Sequence, residues 1–416
     1  MELVAEGFNF PTSFAFDEEG EVFVAESGLP FAGAKPGGRV LKIDKSGGGT
    51  CLKESLRQPV NGLLYWKGGF YISEGGYPGR ISRLDLNGNW STVLDELPGM
   101  GNYHTNMAVI GPDEKLYFSQ GALTNSGIIG LDAYDIGWLN RLPHNADVPG
   151  YDIVLTGINI ETANPLDEKS GGRTETGAFS AFGMKTTPGQ IVKGRVPCTA
   201  SVMRCNPDGS ELELVAWGLR NAYGLVFLPD GRLLATDQGA DDRGSRPIGN
   251  SPDFLFEVSQ GKWYGWPDFV GGIPVIDQSL LPERGPAPQM LLANHAELPE
   301  PERPLLAFPA HVAAVKLAVA PKGHQWAQHV FVALFGDEVP MTGPAGPRVG
   351  RSIARIDPVD WSLHEVPGSR LNRPIDVKFH PVSGEMYVLD FGEFEITSSM
   401  SIAAKAGSGK LWKGAL

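Results

Sequence analysis

The sequence predicts an all-β chain folded as a six-bladed β-propeller, with long insertions over one face. Three observations predict it. A short apolar strand, a turn of the Pro-Asp-Gly kind and a second apolar strand ending in a polar residue recur along the 416 residues. No helical apolar periodicity runs between the copies, and Gly 54 with Pro 33 supplies a turn every few residues. A supersecondary unit repeated at this scale, made of strands alone, closes around an axis.

The copies follow in order. Phe14 to Glu26 is the first; Leu63 to Glu74 has a turn one residue shorter. Ala108 to Gln120 and Leu225 to Asp237 share one length, and Val377 to Asp390 is one residue longer. Lys316–Val319 with Val330–Phe335 forms a stretched copy. The first two blades run from about Phe8 to Gly101 and carry the basic-apolar strands Gly38–Asp44 and Gly79–Asp85. The third opens at His104, is interrupted by Asn125 to Pro197, and closes with Ser201–Gly209. The fourth runs from Gly218 to about Trp266-Pro267, and a Pro-rich stretch, Pro274 to Pro309, leads to the fifth. The sixth begins at Leu371 and ends with Gly409–Lys413; pairing Glu2–Ala5 with it would close the ring and remove an open edge.

One propeller spanning 1–416 absorbs this length: six blades of about 45 residues use about 270, leaving insertions at about 125–197 and 268–309. Insertions that long on one face are expected to roof the channel mouth. Hydrophobic content of 42% can fill the space between sheets. A net charge of −13 argues against a nucleic-acid or anionic-membrane partner held by bulk electrostatics. No stretch of about eighteen apolar residues offers a membrane span. Met1–Gly7 has neither a basic region nor an apolar core, so no secretory signal is visible, and the compartment stays open. Cys51, Cys198 and Cys205 are expected as free buried thiols.

The fourth blade carries a family resemblance. Gly218-Leu-Arg220-Asn221-Ala-Tyr-Gly224, Leu228-Pro-Asp-Gly231, Thr236-Asp-Gln-Gly239 and Gly261-Lys-Trp-Tyr-Gly-Trp-Pro267 resemble the soluble quinoprotein sugar dehydrogenases, six-bladed propellers that use pyrroloquinoline quinone (PQQ). Val330–Gly336, Ile353–Asp357 and Asn372–Ile375 resemble the sorbosone branch. The resemblance implies a sugar or sugar-derived aldehyde as substrate, PQQ and Ca²⁺ as cofactors, and an external electron acceptor. Counting back six residues from Ile110, Phe227 and Phe379 gives His104, Asn221 and Arg373, each where an innermost strand begins. His104 then matches the general base, and Arg220 with Asn221 the pair that holds the quinone oxygens. Arginine suits a cofactor with three carboxylates. Arg348 or Arg351 is the cation expected from the fifth blade. Asp237, Gln238, Gly239 and Ala240 match the stretch whose carbonyls hold calcium, a hard ion that takes such oxygens. The chain departs from the pattern at Phe254, where a metal-supporting glutamate is expected, at Ile375 in place of a second arginine, and at an inserted stretch, Asp241 to Ser251.

Two other chemistries fit the repeats. Glu26, Glu74, Gln120, Asp237 and Asp390 end equivalent strands, and facing the channel they would form an oxygen-rich ring able to hold a divalent cation, which resembles the lactonase-like propellers and implies a sugar lactone hydrolase or lyase. A non-catalytic propeller binding through its top face is the third. His311, opening the fifth blade, is a further channel candidate, and Trp263-Tyr264-Gly265-Trp266 reads as packing and turn chemistry.

Overall fold

The computed structural model describes every residue except 100, 168–171, 345, 367–370, 399–400 and 415–416. Six sheets radiate from one axis. Their innermost strands are Pro11–Phe16, Val60–Tyr65, Thr105–Ile110, Ala222–Phe227, Ala314–Val319 and Pro374–Phe379, each touching the next and the last touching the first. Every strand pair of the six repeated units is antiparallel, joined by turns of three to six residues except for the ten between the two strands of the fifth. The ring is closed as expected: Glu2–Phe8 pairs with Gly409–Gly414, Ala5 opposite Leu411.

Two assignments need correction. Lys262–Trp263 does not belong to the fourth blade; it adds a parallel fifth strand to the third, beside Glu213–Trp217. The fourth blade takes its outer strand, Leu306–Ala307, from the end of the stretch read as insertion, with Phe254 opposite Ala307. Trp263 is fully buried and stacks on Trp217 at 6.3 Å and 15°, so its role is packing. Between Gln120 and Ser201 the described residues form two small hairpins and the short helix Leu131–Asp135. Cys198 and Cys205 are free and buried, whereas Cys51 is free and exposed.

The polar strand ends do not make a ring around the channel. Asp390 accepts the N–H groups of Asn372 (2.7 Å), Arg373 (2.9 Å) and Gly392 (3.0 Å). Asp237 accepts those of Asn221 (2.7 Å) and Arg220 (3.2 Å). Glu26 takes Asn9 N–H and pairs with Arg39; Glu74 takes Arg57 N–H and pairs with Arg80. Gln120 accepts from Thr105 Oγ1 and donates to the Pro98 carbonyl. Each fastens the loop that enters its own blade. Replacing Asp390 with Ala strands buried N–H groups at about 1–3 kcal/mol apiece, so urea unfolding should show a loss of about 3 kcal/mol or more, with Asp390→Asn losing less.

The blades are stitched around the axis by side chains. Thr12 Oγ1 donates to Val60 O (2.5 Å), Asn61 Nδ2 to Thr105 O (3.0 Å) and Asn106 Nδ2 to Asn221 Oδ1 (2.8 Å). Thr236 Oγ1 donates to Val315 O, Arg373 Nη1 to Asp337 O (2.6 Å) and Ser13 Oγ to Asp376 (3.0 Å). Every junction is thereby bonded. Lys316, fully buried on the fifth blade, reaches across the axis to the carbonyls of Thr12 and Asn61 on the first and second. Burial pushes its ammonium down to about 7, against the pull of Asp376.

Candidate active site

A cavity of about 740 Å³ occupies one end of the channel. Thr12 and Asn61, whose carbonyls hold the buried Lys316, line it. Phe335, Phe391, Phe394, Tyr223 and Met341 give it apolar walls. Asn102, Ile136, Trp138 and Arg141 reach its rim from the 125–197 insertion and the loop before the third blade, so the expected roof is there.

His104, Arg220, Asn221, Gln238, Gly239 and Ala240 all line this cavity, as does His311. His104 sits one residue before its strand, where the chain turns inward. Its Nδ1 meets the Gly75 carbonyl at 3.1 Å, which makes Nδ1 the donor and leaves Nε2 with a lone pair and no hydrogen bond among the described residues. Burial pushes the imidazole down to about 4; the Gly75 bond opposes this, and the charge of Arg141 adds to it. A neutral base of fixed tautomer results. Gly75 permits the close approach, since a Cβ there would lie 2.6 Å from that of His104.

Arg220 is differently disposed from the sequence expectation. Nε donates to Asn125 O (3.0 Å), and Nη1 to the carbonyls of Gln238 (3.2 Å) and Gly239. Nη2 donates to Tyr103 Oη, Asn125 Oδ1 (2.7 Å) and Asp241 Oδ2 (2.7 Å). The guanidinium lies over the Tyr103 ring at 4.4 Å. All five of its donors therefore have protein partners. The amide of Asn221 is engaged too, donating to Gln238 Oε1 and accepting from Asn106.

Arg373 does not reach the cavity. It begins its strand in register with Asn221, but its side chain, 1% exposed, turns outward to the carbonyls of Phe394, Phe335 and Asp337 and to Glu395. Arg348 and Arg351 also pair with Glu395 rather than line the cavity. The hydrogen bonds from Arg351, with the help of the other two arginines, hold that carboxyl down at about 2. None of the five strand-end residues lines the cavity except through backbone they hold, which removes the acidic ring. Asp237, itself buried, is pushed up to about 7 by desolvation.

The sequence reading missed four contributors. Asp241 and Arg243, from the inserted stretch, form a buried cluster with Arg220 and Tyr103: Asp241 Oδ2 accepts from both arginines and from Tyr103 Oη. Burial would raise Asp241, but the two guanidiniums outweigh it and hold it below the usual carboxylate range. Arg141 donates to the Gly137 carbonyl and has no carboxylate partner among the described residues. Glu338 lines the cavity with no side-chain hydrogen bond among them, and burial pushes its carboxyl up. The Gly-Asp-Glu run after the fifth-blade strand end was the only signal for it.

No known family profile matches the chain. A stretch of 181 residues is 25% identical to quinoprotein glucose dehydrogenase B of Acinetobacter calcoaceticus, covering 43% of this chain and 29% of that protein. Among solved structures, a PQQ-bound aldose sugar dehydrogenase from Streptomyces coelicolor superposes with a TM-score of 0.57 at 16% identity, over 99% of this chain and 96% of that one. The holo PQQ domain of pyranose dehydrogenase from Coprinopsis cinerea gives 0.58 at 12% identity, over 98% and 93%. The apo soluble aldose sugar dehydrogenase of Escherichia coli gives 0.56 at 14%, over 100% and 99%. The chain is a six-bladed β-propeller with the fold of the glucose and aldose sugar dehydrogenases.

Proposed function

We propose that the protein is a quinoprotein oxidoreductase that oxidises a sugar or sugar-derived aldehyde hydrate, with His104 as general base. The observation that carries the reading is His104 itself: a neutral imidazole, held by Gly75 at Nδ1, with Nε2 open in a cavity on the channel axis. Nε2 takes the proton of the substrate hydroxyl as the carbon gives up its hydride. Bound PQQ would supply the two-electron acceptor that no side chain offers. An external acceptor would then withdraw the electrons.

The cavity suits a flat, anionic ring. Phe335, Phe391 and Tyr223 offer apolar faces, Arg141 carries an unpaired charge, and Arg243 Nη1 is a buried donor without a hydrogen-bond partner, 3.8 Å from Asp132. Arg141 and Arg243 are the residues that would hold its carboxylates. Calcium does not fit the same way. The Gln238 and Gly239 carbonyls carry Arg220, and the Phe254 ring lies against Gly271 and Phe256, away from the cavity.

The test is direct. PQQ is added to the protein, in calcium and in EDTA, followed by a panel of aldoses. A sugar-dependent loss of the oxidised-quinone absorbance is expected, and no response to any aldose in either buffer rejects the dehydrogenase reading.

A further inference from the structure

We propose that Arg220 stands in for the divalent cation of this site, so that the cavity works without calcium. Three observations carry it. First, one nitrogen of the guanidinium donates to two carbonyls, Gln238 and Gly239, of the stretch expected to meet a metal. A cation and a guanidinium cannot share the same two lone-pair directions at these distances. Second, Arg220 is not a loose side chain that happened to fall there. Asp241 and Asn125 fix its other nitrogens, and Asn125 in turn donates to the carbonyls of Asp241 and Arg243, tying the inserted loop to the long insertion of the third blade.

Third, the loop that supplies Asp241 also shapes the backbone bearing those carbonyls. Gly239 N–H donates to Asp253 (2.8 Å) and Ala240 N–H to Ser251 Oγ (3.0 Å). A Cβ on Gly239 would lie 2.1 Å from the Pro252 carbonyl, so the returning loop presses directly on it. The inserted residues thus bring an anion, Asp241, that retains Arg220, and a second cation, Arg243. Asp132 lies 3.8 Å from Arg243 Nη1, so two guanidiniums face two carboxylates and the cation that Arg220 places at those carbonyls is balanced within the protein. Its charge is built in and needs no ion from solution.

The statement about calcium concerns the apoprotein and stands by itself; the statement about cofactor binding rests on the quinone reading. Calorimetric titration of Ca²⁺ into the wild type should give no binding heat, and millimolar Ca²⁺ or EDTA should leave its Tm unchanged. Arg220→Ala uncovers the two carbonyls beside Asp241 and should gain a Ca²⁺-dependent rise in Tm, which Arg220→Lys should abolish again. PQQ quenching of tryptophan fluorescence should give the same affinity in EDTA as in Ca²⁺. Calcium stabilising the wild type, or failing to stabilise a folded Arg220→Ala, overturns the proposal, as does a tenfold or greater gain in PQQ affinity with calcium. Absence of PQQ binding in both buffers would reject the quinone reading while the wild-type calcium titration still decides this one.

Discussion

His104→Ala should lower turnover with a bound quinone by about 10²–10⁴-fold, the usual worth of a positioned base. Affinity for the quinone should be nearly unchanged, because among the described residues the imidazole is bonded only to Gly75 and leaves the cations at the rim untouched. Stopped-flow reduction of the cofactor separates the two quantities; equal losses in binding and reduction would assign His104 a structural role instead. The pH profile gives a second check. With its proton affinity pushed down to about 4, the ring stays neutral and competent well into the acid range, and wild-type kcat/KM should fall only as pH drops through about 4. For stability the sign is the same. In the unfolded chain the ring takes its proton near 6.5, so between about 6.5 and 4 the unfolded state binds more protons and stability decreases as pH falls.

Removing residues 1–8 should have the largest effect on stability. Glu2–Phe8 is the outer strand of the last blade although it comes first in the chain, and it buries Ala5 and Phe8 against the core shared by blades one, five and six. Its loss exposes the length of Gly409–Gly414 as an unpaired edge with Leu411 beneath. Losing one buried phenylalanine costs about 3–5 kcal/mol by itself. The truncated chain should unfold at markedly lower urea concentration and associate in sedimentation runs. A Tm within a degree or two of wild type would mean that the strand closes nothing.

The propeller was legible because its repeats record the strand-turn-strand pattern directly. The first two strands of every blade fell where the apolar anchors put them, Leu225–Phe227 and Leu233–Asp237 being the clearest. Outer strands were harder. Leu306–Ala307 and Lys262–Trp263 are two-residue pairings in Pro-rich or aromatic sequence, too short to carry an alternation. At the site, register placed His104, Asn221 and Arg373 at equivalent backbone positions, and that was right. It could not say where a long side chain goes. Histidine and asparagine are short and stay by the axis, whereas Arg373 follows the carbonyls of Phe335 and Asp337 into the neighbouring blade. Asp241, Arg243 and Arg141 lie in insertions with no repeat to register them, so nothing in the pattern could rank them.

The amine that bridges three blades has a consequence for the cavity beside it. Lys316 ties Thr12 and Asn61, which line the cavity from the first and second blades, to the fifth blade through one ammonium group. Three parts of the wheel are thereby fastened at a single point, and a change there would be felt around the cavity rather than in one blade.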